Sequence, residues 1–282
     1  MFFIKFISHL PLSILYLLSD FLYFLLYHVI QYRKKVVFNN LKIAFPDHSE
    51  AEHSRVARDF YKNLSDIIVE TIKAYSISPA ALTRRIKISN IELINEYYKK
   101  QVPIIVMTSH LCNWEWLLIS NCILLDYEVD GVYKKLNNKA FEKFMKEMRG
   151  RFGANMIEKN NLIRTIAQRR NIPRIIAMVS DQTPASSPTN KYYPFFGREI
   201  PFYTGAEKIA QMTKYPVLFV SMTRLSRGQY EVTFEKLADP PYTENQDITS
   251  KYVSMVEKEI RKNPENWLWS HKRWKHQKSV KL

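Results

Sequence analysis

The stretch PIIVMTSHLCNWEWLLISNCILL, residues 103–125, contains the pattern that decides the fold. Its first part, PIIVMTS, is a continuous apolar run with the length of a buried parallel strand. Its second part, NWEWLLISNCILL, is long enough for a helix, and Asn113 is suited to cap its first turn. A buried strand that leads directly into a helix is the repeating unit of an α/β sheet.

The segments around this stretch repeat the alternation. Further strands are predicted at RIKIS (85–89), EVDGVYKK (128–135), ANMIE (154–158) and RIIAMVS (174–180). Helices are predicted between them at NIELINEYYKK (90–100), NKAFEKFMKEMRGRFG (138–153, closed by Gly153) and NNLIRTIAQRRN (160–171). Upstream, 36–46 is a predicted short helix, and 49–75 is a helix that opens with a Ser49/Glu52 capping box. We therefore expect a parallel sheet flanked by helices.

The pattern changes after residue 180. Residues 181–204 are rich in proline and aromatic residues and are predicted to form a loop. A helix at 205–214 follows, and the strands 216–225 and 229–237 are predicted to pair antiparallel across a short SRG turn. A last amphipathic helix is expected at about 246–262. No linker divides the chain after residue 40, so we expect one domain built on a mixed, mostly parallel sheet.

An apolar segment, residues 10–30, precedes this domain. At about 1.5 Å per residue it would reach roughly 31 Å as a helix, close to the thickness of a bilayer core. Asp20 at its centre weakens a simple spanning helix, so the anchor either spans the bilayer or lies deep in its interface. A buried helix of a soluble domain is the alternative. We predict a membrane anchor at 1–32 and a folded domain at 33–282. The basic residues Arg33, Lys34 and Lys35 would keep that domain on the cytoplasmic side of the membrane.

The chain is strongly basic, with 42 Lys and Arg against 27 Asp and Glu, a net charge of +15. Such a surplus favours anionic partners: nucleic acid, a phospholipid surface or an acidic carrier protein. Two cysteines, Cys112 and Cys122, are too few for a disulfide framework and lack the spacing of a metal site, which indicates a reducing compartment. No P-loop or G-x-G-x-x-G motif is present, and we expect no cofactor.

His110 and Glu115 are the candidate catalytic pair. Ligands of open α/β sheets bind at the carboxyl ends of the strands, where His110 is expected. Glu115 would lie in the first turn of the next helix, whose dipole keeps a carboxylate ionised. We expect Glu115 to accept the Nδ1–H of His110, which leaves Nε2 free to act as a base. The alternative is a solvated glutamate beside a histidine with no catalytic role.

The residues SHLCNWEW resemble the H-x-x-x-x-D/E motif of glycerolipid-type acyltransferases. The chain from about residue 30 onward resembles, more specifically, the lipid A biosynthesis acyltransferases. The similarity includes, in the family's order, RKKVVFNNLKIAFP, SHLCNWEW, MRGRFG, SDQ, YYPFFG and NPENWLWSHKRWK.

This resemblance implies that His110 and Glu115 act on the thioester of an acyl carrier protein, the only co-substrate expected, with a Kdo-bearing lipid A precursor as acceptor. Arg149 or Arg151 would stabilise an oxyanion or a phosphate, with a slight preference for Arg149. Asp181 and Gln182 would line the same cleft, although Asp181 is alternatively a loop cap.

Two further residues are expected to contact substrate. Asn113, beside the motif, is one of them. The other is Lys134, which lies in YKK (133–135) where comparable family members have YRP, a difference that points to a different acceptor headgroup.

Cys112 as a covalent nucleophile is disfavoured, because direct transfer needs no intermediate. The acceptor is alternatively a lysophospholipid or an amino-lipid. A non-catalytic protein that binds membranes or nucleic acid would explain the charge but not the ordered motifs, so we expect no nucleic-acid partner. Finally, Trp267, Trp269 and Trp274 suit either a phospholipid interface or the core.

Overall fold

A computed structural model of the chain describes residues 2–243 and 246–278. The strands in these residues are β1 (Ile86–Ile88), β2 (Ile104–Thr108), β3 (Glu128–Tyr133), β4 (Asn155–Glu158), β5 (Arg174–Val179), β6 (Tyr192–Phe195), β7 (Arg198–Pro201), β8 (Val217–Ser226) and β9 (Gln229–Ala238). The α-helices in the same ranges are α1 (Phe2–Ser8), α2 (Leu12–Phe24), α3 (Lys34–Ala44), α4 (Glu50–Ala74), α5 (Pro79–Thr83), α6 (Ile91–Lys99), α7 (Trp114–Leu124), α8 (Lys139–Gly150), α9 (Leu162–Gln168), α10 (Gly205–Thr213) and α11 (Ile248–Lys262).

A mixed sheet forms the centre of the domain, with its strands in the order β1-β9-β8-β2-β5-β3-β4. Its neighbouring strands run parallel except for β8 and β9, which are antiparallel as predicted. Along β2, Ile105 and Met107 join the hydrophobic core on one face, and Ile104 and Val106 join the core on the other. The sheet is therefore covered on both faces, which explains why β2 is a continuous apolar run. The predicted α/β fold is confirmed.

The region 181–204, predicted as a loop, contains the antiparallel hairpin β6–β7. Two prolines, Pro194 and Pro201, lie within these strands. Proline removes a donor from the strand ladder and is tolerated where a strand has a free edge, as in a two-stranded hairpin. Because proline is atypical of strands, the sequence pattern predicted a loop here.

The amino-terminal apolar segment is more divided than predicted. The helix α1 precedes it, Pro11 separates α1 from α2, and α2 continues through a π-helical turn, Leu25–Val29. The stretch Leu12–Val29 is long and apolar enough to cross a membrane, judged by length and composition alone. The division into an anchor at 1–32 and a domain at 33–282 stays a prediction.

Candidate active site

His110 and Asp181 each follow the carboxyl end of one of two neighbouring parallel strands, β2 and β5. The backbone N–H of Ser180 donates to the carbonyl of Thr108 at 3.2 Å and holds the two strand ends together. As a result, Oδ1 of Asp181 lies 2.6 Å from Nδ1 of His110. Its other oxygen, Oδ2, accepts the backbone N–H of His110 at 3.0 Å.

Asp181 is buried, and both of its carboxylate oxygens have hydrogen-bond partners. Its Oδ2 also accepts the indole N–H of Trp267 at 2.7 Å. Burial acts to raise the pKa of Asp181, but the charge and hydrogen bonds of His110 and the Trp267 donor outweigh it and hold the pKa below its ordinary value. An ionised Asp181 fixes the proton of His110 on Nδ1 and leaves Nε2 as the acceptor. In the structure, Nε2 lies 3.2 Å from Nε2 of Gln182.

The prediction that Glu115 accepts the Nδ1–H of His110 is wrong. Both carboxylate oxygens of Glu115 accept hydrogen bonds from Arg149, at 2.7 Å from Nε and 2.6 Å from Nη2. Asp181 takes the predicted place because its strand lies beside that of His110 in the sheet, a proximity that spacing along the chain does not contain. Glu115 instead fixes Arg149 by a bidentate ion pair.

Trp114 contacts both the His110–Asp181 pair and the Glu115–Arg149 pair. Its indole ring packs edge-on against the ring of His110, with centroids 5.0 Å apart. Its Nε1 donates to Oε1 of Glu115 at 3.1 Å. The structure therefore brings His110, Asp181, Glu115 and Arg149 into one constellation around Trp114, a residue that the sequence analysis did not single out.

Arg151 lies outside this constellation. Its guanidinium donates to the carbonyls of Ala74 and Ile77, at 2.5 Å and 3.1 Å, and so stabilises the connection between α4 and α5. Of the two arginines, the structure places only Arg149 against the motif, in line with the slight preference for it.

Asn113 caps α7 as predicted, through Oδ1 and the backbone N–H of Trp116 at 2.9 Å. Its Nδ2 donates to the buried carboxylate of Glu70 at 2.7 Å. Because Asn113 is fully buried and both amide atoms have protein partners, its assignment as a substrate contact is corrected to a structural one. Lys134, by contrast, is exposed directly beyond the end of β3.

Cys112 is buried, and burial raises the pKa of its thiol to about 12. A thiol with so high a pKa is protonated at neutral pH and is a poor nucleophile. This agrees with the expectation that Cys112 takes no covalent part in the reaction.

The carboxyl-terminal segment closes over the motif loop. The backbone N–H of Leu268 donates to the carbonyl of His110 at 3.1 Å, and that of Cys112 donates to the carbonyl of Asn266 at 2.9 Å. Trp267, Trp269 and Trp274 are all buried, at 2%, 0% and 6% exposure, so the phospholipid-interface interpretation of these rings is wrong. The role of Trp267 as a donor to Asp181 was missed, because no sequence signal links residues 267 and 181.

Comparison with known proteins identifies the family of the chain. The family model described as bacterial lipid A biosynthesis acyltransferase matches residues 1–276. The chain is 24% identical over 247 residues to the lipid A biosynthesis palmitoleoyltransferase of Escherichia coli strain K12, covering 86% of this chain and 79% of that protein. It is 23% identical over 273 residues to the lipid A biosynthesis lauroyltransferase of the same strain, covering 95% and 88%. Because the family model spans almost the whole chain, the protein belongs to the bacterial lipid A biosynthesis acyltransferases and is an acyltransferase.

Proposed function

We propose that the protein moves a fatty acyl chain from an acyl carrier protein thioester to a hydroxyl of a Kdo-bearing lipid A precursor, at the cytoplasmic face of the inner membrane. The observation that supports this most directly is the His110–Asp181 pair, 2.6 Å apart at the joined ends of β2 and β5, in a chain of this family. No cofactor takes part in the proposed reaction.

In the proposed reaction, His110 acts as the general base. The acceptor hydroxyl replaces Gln182 as the partner of Nε2, and Nε2 takes its proton as the oxygen attacks the thioester carbonyl carbon. The new carbon–oxygen bond forms, the carbon–sulfur bond breaks, and the imidazolium returns its proton to the departing sulfur. Asp181 orients the ring and stabilises its charged form.

Arg149 is the proposed electrostatic group. Glu115 holds its Nε and Nη2, and the side chain stays partly accessible at 19% exposure. A guanidinium fixed in this way stabilises a developing oxyanion or binds a substrate phosphate without reorganising during the reaction.

A second candidate keeps this chemistry and changes the acceptor to a lysophospholipid or an amino-lipid. Lys134 and Lys135 are exposed directly beyond the end of β3. The family resemblance implies YRP at 133–135, so these lysines favour a different headgroup.

The test is acyl transfer by the purified full-length protein in detergent, with acyl carrier protein thioesters as donors. The acceptors are lipid A precursors with and without Kdo, and a lysophospholipid. We expect transfer to a lipid A precursor, its loss in His110→Ala, and its retention in Cys112→Ala. Unchanged transfer in a folded His110→Ala variant would contradict the mechanism, and transfer to the lysophospholipid alone would contradict the acceptor. Mass spectrometry of lipid A from cells with and without the gene identifies the missing chain.

A further inference from the structure

The two amino-terminal helices present an exposed apolar face to solvent. On α1, Phe3 and Phe6 are 70% and 64% exposed. On α2, the exposed apolar side chains recur at helical spacing and are Ile14, Leu17, Leu18, Phe21 and Phe24. The spacing places them along one side of the helix, as in an amphipathic helix that lies on a membrane. We call these seven residues the apolar face.

The opposite side of α2 is fixed to the domain by polar contacts. These are Tyr16 Oη to Glu70 Oε1 at 2.8 Å, Ser19 Oγ to Asp66 Oδ1 at 2.7 Å, and Asp20 Oδ1 to Arg227 Nη2 at 2.7 Å. Asp66 and Glu70 are buried carboxylates of α4, at 2% and 0% exposure. Tyr16 and Ser19 thus face the domain, and Asp20, although its side chain is 61% exposed, is paired with Arg227 of the domain.

The helix α1 is held in the same manner. Lys73 of α4 donates to the carbonyls of Ser8 and Leu10, at 3.0 Å and 2.9 Å. Lys5 pairs with Glu147 of α8 at 2.6 Å. Both helices are therefore held against the rest of the chain by polar contacts.

From these contacts we infer that α1 and α2 do not cross the bilayer. They lie against the domain, and the apolar face inserts into one leaflet of an anionic phospholipid membrane. To cross, α2 would have to leave α4, which would strand the buried carboxylates of Asp66 and Glu70 and place Asp20 in hydrocarbon. The basic residues Arg33 and Lys35, both exposed and directly downstream of the helix, match anionic headgroups.

This inference deepens the membrane association proposed above and connects it to the active site. Glu70 accepts hydrogen bonds from Tyr16 of α2 and from Asn113, the cap of α7. One buried carboxylate thus joins the lipid-facing helix to the helix that carries Glu115. The constellation around His110 is in this way held at a fixed place relative to the leaflet from which a lipid acceptor would come.

The first test is the topology of the turn between α1 and α2. His9, exposed in that turn, is replaced by cysteine in a Cys112→Ala, Cys122→Ala background, and Asn137→Cys marks the domain surface. A membrane-impermeant maleimide is applied to inverted inner-membrane vesicles and to spheroplasts. We expect positions 9 and 137 both to react in inverted vesicles and neither in spheroplasts. Reaction of position 9 in spheroplasts, or in neither preparation, overturns the inference and leaves the acyl transfer measured in detergent unaffected.

The second test is the apolar face itself. The variant Leu17→Ser/Phe21→Ser is compared by flotation with Ile163→Ser, a control on α9 whose side chain is 54% exposed. On phosphatidylglycerol-containing vesicles we expect the partition coefficient of the double variant to fall about tenfold or more, and that of the control to stay unchanged. Both should keep wild-type transfer in detergent micelles. Equal binding by the two variants overturns the inference, and failure of the wild type to bind vesicles overturns the proposed membrane association as well.

Discussion

At the scale of single residues, the state of His110 depends on Asp181. An amide at position 181 presents a donor where a carboxylate accepts, so Asp181→Asn favours the tautomer with the proton on Nε2, which cannot act as a base. We expect kcat to fall about a hundredfold or more with little change in the melting temperature. Steady-state transfer kinetics with a thermal melt measure both quantities.

The matched comparison is Glu115→Gln, which weakens the ion pair with Arg149 but leaves the contact between His110 and Asp181 in place. We expect this variant to lose less activity than Asp181→Asn. If instead Glu115→Gln is inactive and Asp181→Asn turns over normally, the originally predicted pairing of His110 with Glu115 is the catalytic one.

The burial of His271 predicts that the fold loses stability in acid. Its Nε2 accepts the backbone N–H of Thr183 at 3.1 Å. Burial, with the nearby positive charges of Arg273 and other groups, lowers its pKa from 6.5 to about 4. The unfolded chain therefore binds more protons than the folded chain between these values. The stability from His271 is full above pH 6.5 and is lost as the pH falls toward 4.

We expect the melting temperature to be lower at about pH 5 than at about pH 7.5, by an amount worth less than about 2 kcal/mol because the group is partly solvated. In His271→Gln the difference between the melting temperatures at the two pH values should be smaller. An identical pH dependence in this variant would assign the acid sensitivity to groups other than His271.

At the scale of elements, the start of α7 is the junction that holds the motif. Asn113→Ala removes the helix cap, worth about 1 kcal/mol, and also leaves the buried Glu70 without one donor. Asn138 is the matched control, because it caps α8 in the same way, through Oδ1 and the N–H of Phe141 at 3.0 Å, but at an exposed site.

We expect Asn113→Ala to cost about 2 kcal/mol or more in the free energy of unfolding and to reduce kcat. Asn138→Ala should cost about 1 kcal/mol or less and keep full activity. Urea unfolding measures the free energy of unfolding of both variants, and acyl-transfer assays measure their kcat. Equal costs would mean that the contact with Glu70 contributes nothing to stability.

At the scale of the whole molecule, the net charge of +15 is the dominant property. If the donor is an acidic carrier protein, long-range attraction should contribute to its binding and be screened by salt. We expect KM for the acyl carrier protein thioester to rise several-fold between about 0.05 M and about 0.5 M salt, while kcat changes little. A KM independent of salt would argue against a large charged donor. The control is a titration of the lipid acceptor, in a neutral detergent, at each salt concentration.

The positions of strands and helices followed from local patterns wherever those patterns were strong. The apolar runs of β2 and β5 and the capping box of Ser49 and Glu52 are confirmed. The hairpin β6–β7 was missed because both of its strands contain proline, which is atypical of strands. The site followed the same division: His110 at a strand end was predictable from its position after β2, whereas its carboxylate partner was not.

The sequence by itself determined the α/β class, the edge of the sheet where the site lies and, through its ordered motifs, the acyltransferase family. The fold class and the sheet edge followed because periodicity, caps and spacing are local properties of the chain, and the family followed from the resemblance of its motifs. Only the tertiary structure decided that Asp181 rather than Glu115 is the partner of His110, and that Glu115 holds Arg149. It also decided that Trp267 supports Asp181, that Tyr16 and Ser19 contact carboxylates of α4, and that Asp20 pairs with Arg227. These contacts join residues that are between 34 and 207 positions apart, and for such pairs strand order and helix packing set proximity.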